Sequence, residues 1–209
     1  DGVQEGGQRL NVACVRAGSG QRDHVRLEHR FGQQLQLRDL LRGDLGDDLL
    51  VHCVAFADAA DLEGRFVDTP RDRFWLSLDV SAYSLVAVTR AALPLMQPGG
   101  SILTLSYYGA EKVVANYNVM GVAKAALEAS VRYLANDLGP DGVRVNALSP
   151  GPMRTLAGSA VGSARKMYKE VENNAPMQKN ADLDHVGGTA AWLCSDYGAS
   201  TTGEVIFVD

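Results

Sequence analysis

What most limits the folds open to this chain is a series of short apolar runs separated by helix-length segments. Leu49–Ala57 is almost uninterrupted apolar sequence. A run of that length predicts a strand covered on both faces, as in a parallel sheet. Roughly Arg71 to Leu95 follows as a helical stretch, with Pro94 near its end and the turn signal Pro98-Gly99-Gly100 after it. Ser101–Ser106 predicts the next buried strand. Tyr117 to Leu138 predicts a long helix closed by Gly139-Pro140-Asp141-Gly142, and Arg144–Leu148 a third strand. Asp184 to Cys194 reads as a helix capped by Asp182 or Asp184, and Glu204–Val208 as a final strand. Strands alternating with crossover helices imply an α/β fold, a parallel sheet with flanking helices and right-handed crossovers. Ligands of such sheets sit at the carboxyl ends of the strands. Functional residues are therefore expected just after Ala57, Ser106 and Leu148.

The first 48 residues break this pattern. Residues 1–50 hold seven arginines and no lysine, whereas all five lysines lie at or beyond Lys112. Six of the eight glutamines also fall there. Leu10–Val15 has strand character and Leu35 to Leu45 that of a short helix, but the intervening Asp23–Arg30 is too polar to bury much. The chain thus divides into an atypical segment, 1–48, and a regular portion, 49–209. The net charge of −5, with no block of like charges, argues against a nucleic-acid partner. No uninterrupted apolar run reaches the roughly 18 residues of a membrane span, and the start carries no signal region. Three widely spaced cysteines, Cys14, Cys53 and Cys194, read as reduced thiols of a cytoplasmic protein, with Cys53 and Cys194 as core fillers. The four histidines show no metal-ligand spacing, so no metal is expected. His52, inside an apolar run, reads as a core histidine.

The chemistry concentrates around Tyr117 and Lys124. Seven residues apart on one helix, they differ by about 20° around it and by roughly 10 Å along it. The lysine can reach back toward the tyrosine. A nearby ammonium would lower the phenol's pKa from about 10 and make it a stronger donor to a developing oxyanion. Alone, such a pair is more often a buried tyrosine beside a surface lysine.

The neighbouring residues narrow that choice. Leu103–Glu111 (LTLSYYGAE) followed by Asn116–Glu128 (NYNVMGVAKAALE) resembles the bacterial enoyl-acyl-carrier-protein reductases, a divergent branch of the short-chain dehydrogenase/reductase superfamily. The likeness continues through Val131–Ala135, Gly142–Ala147, Gly151–Ala157, Leu193–Asp196 and Gly203–Val205. It covers about residues 49–209. Ordinary members of the superfamily place tyrosine and lysine four apart; this branch uses seven and adds an upstream tyrosine. The resemblance implies a Rossmann-like fold and reduction of the trans-2 double bond of enoyl thioesters with NADH, in type II fatty-acid biosynthesis. NADPH is not excluded. Tyr117 matches the tyrosine that hydrogen-bonds the thioester oxygen, and Lys124 the lysine that binds the nicotinamide ribose. Tyr107 matches the second tyrosine near the substrate, and Ala57 a substrate-contacting backbone position. Val54, Met153, Arg154, Thr155, Leu156 and Ala157 match cofactor-binding positions, and Ser163 to Met177 the substrate-binding loop and helix. The implied partner is an enoyl-acyl-carrier-protein substrate, and the implied assembly a homotetramer.

The chain also departs from the family. Its opening strand–helix units, with their glycine-rich turn, are missing or degenerate. That half takes roughly 85 residues, at about 30 or more per strand–helix–strand unit, and only 48 are present here. The one candidate turn is Gly18-Ser19-Gly20, without the apolar helix that should follow. Both ends read as incomplete, and a shifted reading frame before Leu49 would explain the composition break. Unless Leu10–Val15 pairs with Leu49–Ala57, that strand is left as an open edge. Ala115 replaces a common proline, and Asp58 stands where proline often follows the Phe-Ala pair. The competing readings are a catalytically inactive remnant without a complete nucleotide site, and a carbonyl reductase, which the seven-residue spacing disfavours.

Overall fold

The computed structural model describes residues 12–16, 48–96, 100–153 and 164–209. Five strands form one sheet: β1 (Val12–Arg16), β2 (Asp48–His52), β3 (Ser101–Leu105), β4 (Arg144–Pro150) and β5 (Val205–Val208), in that spatial order. β2 to β5 run parallel, in the register Leu50–Ile102–Val145 and Leu148–Ile206. The expected apolar strands are all present. β2 is shorter than its apolar run, ending at His52 rather than Ala57.

β1 pairs with β2 antiparallel, from Val12 opposite His52 to Arg16 opposite Asp48. It occupies the edge that the sequence left open. Its direction has a topological consequence: the chain leaves β1 at Arg16, level with the amino end of β2. In a strand–helix–strand unit the first strand instead delivers its following turn to the carboxyl end.

Helices cover both faces. Leu50, Ile102 and Val145 point to one face and pack with Leu85, Val88, Leu127 and Val131. Leu49, Val51, Leu103 and Leu148 point to the other and pack with Val186, Ala190 and Leu193. This is the period-2 alternation of a strand buried on both sides. The first layer holds α1 (Ala59–Leu62), α2 (Arg71–Leu78), α3 (Ser84–Ala92) and the long α4 (Asn118–Leu138). The expected helix Arg71–Leu95 is broken by a π turn over Asp79–Tyr83 and ends in a 3₁₀ turn containing Pro94. Taken as one stretch it is long and apolar enough to cross a membrane, at a mean hydropathy of 1.3. Leu85, Val88 and Ala92 bury its α3 portion against the sheet, so it is a core helix of this domain. The remaining helices are α5 (Ala164–Asn174) and α6 (Leu183–Cys194), the latter capped by Asp182, whose side chain accepts from the Asp184 amide at 2.8 Å.

Candidate active site

The carboxyl ends of β2, β3 and β4 open on the same side, as parallel strands require. Three segments meet there: the loop after β2, the turn after β3, and the start of α4. The loop after β2 is held down by polar contacts from the π turn. The Phe56 amide donates to Ser81 Oγ at 2.8 Å, and that hydroxyl donates back to the Phe56 carbonyl at 3.1 Å. Asp58 then caps α1 through the Ala60 amide and pairs with Arg73 at 2.8 Å. Where the family often has proline, this chain fixes the loop with a carboxylate. Ala57 is half-buried on this loop, whereas the Val54 side chain is buried in the core and leaves only backbone for a ligand.

β3 ends at Leu105. A 3₁₀ turn over Tyr108–Ala110 then carries the chain toward α4. Two glycines let turn and helix touch. A Cβ on Gly109 would stand 2.4 Å from Tyr117 Cδ1, and one on Gly121 would stand 2.8 Å from the Gly109 carbonyl oxygen. Tyr117 is also flanked by two residues in left-handed backbone, Asn116 at φ 59° and Asn118 at φ 28°. Asparagine tolerates that region better than most residues. The Asn118 amide donates to the carbonyls of Glu63 and Gly64, tying this segment to the loop after α1. Backbone held in sparsely populated regions clusters at functional sites.

Tyr107 and Tyr117 meet edge to face, with ring centroids 5.0 Å apart. Both are half-buried. Lys124 lies on α4, seven residues beyond Tyr117, 6% exposed, and its Nζ donates to the Leu105 carbonyl at 2.6 Å. Burial lowers its pKa to about 8, opposed by Cys53 and Glu128. The sequence implied that this ammonium would depress the Tyr117 phenol, and the structure corrects that. Burial first, and Tyr107 second, hold the Tyr117 pKa above the ordinary tyrosine value. Burial likewise raises Tyr107, with Tyr168 adding to the shift. The site therefore presents neutral phenols as donors, with no phenolate at neutral pH.

His52, as expected, is a satisfied core histidine. Fully buried, it contacts Thr104 Oγ1 through Nδ1 and Ser84 Oγ through Nε2, both at 2.9 Å. The Thr104 hydroxyl also donates to the His52 carbonyl at 3.1 Å, and the Ser84 hydroxyl to the Val80 carbonyl at 2.6 Å. Burial, and then the Lys124 charge, hold the imidazole neutral, with its pKa at about 3. Cys194 is a core filler, but Cys53 is not: it lies exposed at the end of β2, backed by protein that raises its thiol to about 11.

Met153 follows β4, and its carbonyl accepts from Tyr168 Oη of α5 at 2.8 Å. That bond ties α5, part of the expected substrate-binding region, to the segment after β4. Arg154, Thr155, Leu156 and Ala157, and Gly18-Ser19-Gly20, lie outside the described residues. Among the described residues no group of three His, Cys, Asp or Glu could hold a metal ion. Of the expected residues, Tyr107 and Tyr117 are in contact, and Lys124 lies on the buried face of α4 bonded to the end of β3. Sequence reasoning missed Ser106 and Glu128, which hydrogen-bond beneath the tyrosines at 2.5 Å. An acidic residue one helical turn beyond Lys124 was the available signal.

The chain is similar to known proteins. The NADH-dependent enoyl-acyl-carrier-protein reductase of Bacillus cereus is 55% identical over 160 residues, 77% of this chain and 62% of that protein. The corresponding reductase of Rickettsia conorii is 54% identical over 162 residues, 78% of this chain and 62% of its own length. The chain thus spans somewhat under two-thirds of these curated relatives. The crystal structure of the Bacillus cereus reductase with NADP⁺ and an indole naphthyridinone superimposes with a TM-score of 0.75 at 55% identity, over 77% of this chain and 63% of that one. That of the Anaplasma phagocytophilum reductase with NAD gives 0.74 at 55% identity, over 77% and 62%. The fold is therefore the Rossmann-like α/β sheet of these enzymes. The family model described as enoyl-(acyl carrier protein) reductase matches residues 42–209. With four-fifths of its length under that match, the chain belongs to the enoyl-(acyl carrier protein) reductase family.

Proposed function

We propose that this chain is the catalytic portion of an enoyl-acyl-carrier-protein reductase that reduces trans-2-enoyl thioesters with NADH in fatty-acid biosynthesis. The observation that carries the reading is the edge-to-face Tyr107–Tyr117 pair, with a buried, hydrogen-bonded Lys124 further along the helix that Tyr117 opens, at the carboxyl edge of a parallel sheet. The described residues fit the nicotinamide-ribose end of the cofactor. Lys124 Nζ makes one hydrogen bond among them, to Leu105, which leaves two ammonium donors for ribose hydroxyls. They include no glycine-rich turn at the strand ends for the pyrophosphate, and Met153 to Ala157 are assigned to that role from the family likeness.

NADH, when bound, supplies a hydride to the β-carbon of the enoyl thioester. Negative charge then collects on the thioester oxygen. Tyr117, kept neutral by burial, donates its hydroxyl to that oxygen. A preorganised donor in a water-poor site is worth about 2.7–4 kcal/mol of barrier. Tyr107 buttresses the Tyr117 ring and lines the substrate path beside Ala57. The Lys124 ammonium adds positive potential and anchors the ribose. α5, latched to Met153 by Tyr168, covers the acyl chain. A cytoplasmic location and a homotetramer complete the proposal, with residues 49–209 as the reductase body and 1–48 as an atypical leading segment.

The experiment is turnover of crotonyl thioester followed by NADH oxidation. Activity lost in Tyr117→Phe and in Lys124→Ala supports the assignment. A folded protein that binds no NADH identifies the chain as an inactive remnant.

A further inference from the structure

Beneath the tyrosines, the end of β3 is fixed to α4 twice. Lys124 donates to the Leu105 carbonyl at 2.6 Å. The next residue, Ser106, donates its hydroxyl to Glu128 Oε1 at 2.5 Å. Lys124 and Glu128 stand one helical turn apart on the buried face of α4. Consecutive residues of the strand end thus grip consecutive turns of the helix, and the residue after them is Tyr107. Ser106 is 5% and Glu128 6% exposed. A carboxylate that deep is almost never left unpartnered.

The surrounding charges give Glu128 a second consequence. Lys124 is faced by Glu128 from its own helix and by Cys53 and His52 from β2. At neutral pH the Cys53 thiol, raised to about 11, keeps its proton. His52, lowered to about 3, is uncharged. Glu128 is then the acidic group left to act on Lys124 among the described residues. Burial raises the Glu128 pKa and the Ser106 hydrogen bond lowers it; Glu111, just after the turn that follows β3, raises it, and Arg132 and Lys124 on α4 lower it.

We propose that Ser106 and Glu128 are a positioning pair: their hydrogen bond fixes Tyr107 against Tyr117, and the Glu128 carboxylate supplies the counter-charge to the Lys124 ammonium. The catalytic half of this proposal rests on the reductase reading; the charge half does not. Three variants separate the effects. Ser106→Ala removes the bond and keeps the charge. Glu128→Gln keeps an acceptor for Ser106 and removes the charge. Glu128→Ala removes both.

The test is side-chain NMR of protein labelled at its lysines and tyrosines, with Lys124 identified by Lys124→Met, alongside turnover and thermal melts. The Lys124 midpoint near 8 falls by about one unit in Glu128→Gln and stays in place in Ser106→Ala. The Tyr107 ring signal, sensitive to the Tyr117 ring at 5.0 Å, shifts in Ser106→Ala and Glu128→Ala and is restored by Gln. With crotonyl thioester, Ser106→Ala loses kcat on the order of tenfold with the KM for NADH unchanged. Glu128→Gln moves the alkaline rise in the KM for NADH to lower pH, in step with the NMR midpoint. An unmoved Lys124 midpoint in Glu128→Gln, or an unmoved Tyr107 signal in Ser106→Ala, overturns the proposal. A wild type that shows both NMR effects but no turnover refutes the reductase reading alone.

Discussion

Replacing Gly109 by alanine adds one methyl group at the tightest contact of the site. Its Cβ would stand 2.4 Å from Tyr117 Cδ1, 2.7 Å from Cε1 and 3.4 Å from Tyr107 Cδ1. Carbon atoms rest at about 3.5–4.0 Å, so something must move by about 1 Å. The turn cannot retreat into α4, because its carbonyl already lies where a Cβ on Gly121 would stand 2.8 Å away. The Tyr117 ring is left to move, away from Tyr107 and from the position proposed for the substrate oxygen. Overpacking of this kind costs about 1–3 kcal/mol of stability. Misplacing a catalytic group by about 1 Å costs on the order of 10²-fold in rate, or about 2.7 kcal/mol of barrier. The assay is NADH oxidation with crotonyl thioester, paired with urea unfolding of the same preparations. The expected result is a kcat loss near 10²-fold with the KM for NADH unchanged. A kcat loss below about fivefold, about 1 kcal/mol, with unaltered stability would refute the steric reasoning.

Other outcomes follow from the same geometry. His52 stays neutral in the folded protein down to about pH 3 but charges near 6.5 when unfolded. The unfolded state therefore binds the extra proton, and stability falls as pH drops from 6.5 toward 3. Urea unfolding across that window should show a slope that His52→Gln flattens. Lys124 loses its charge as pH rises through about 8, so the KM for NADH should climb above that pH while kcat changes less. Equilibrium titration should find weak NADH binding, because β1 leaves toward the amino end of the sheet and the described residues hold no glycine-rich turn. A sub-micromolar dissociation constant for a monomeric preparation would contradict that.

Most of the sheet could be read from the sequence because its strands are buried on both faces, and continuous apolar runs such as Ser101–Ser106 have few other uses. The proposed Tyr117–Lys124 pair was equally visible, since the two residues share one helix face and a family spacing. Three features were not. The phenol's raised pKa depends on burial from several elements at once, and Lys124 spends its nearest donor on the Leu105 carbonyl rather than on the tyrosine. The π turn over Asp79–Tyr83 has no local signature; its part in the site is seen only through the bonds of Ser81 to Phe56. The direction of β1 is set by pairing with β2 across a long connection, which apolar patterning does not specify.

The central claim is that the Tyr117–Lys124 pair turns this chain into an enoyl-thioester reductase. Its most direct test is the rate of NADH oxidation with crotonyl thioester by the wild type, Tyr117→Phe and Lys124→Met under one set of conditions. The account predicts turnover by the wild type and a loss on the order of 10²-fold or more in Tyr117→Phe, with Lys124→Met impaired chiefly in its KM for NADH. Wild-type turnover that survives undiminished in Tyr117→Phe, or a folded wild type with no enoyl-dependent NADH oxidation, would contradict it.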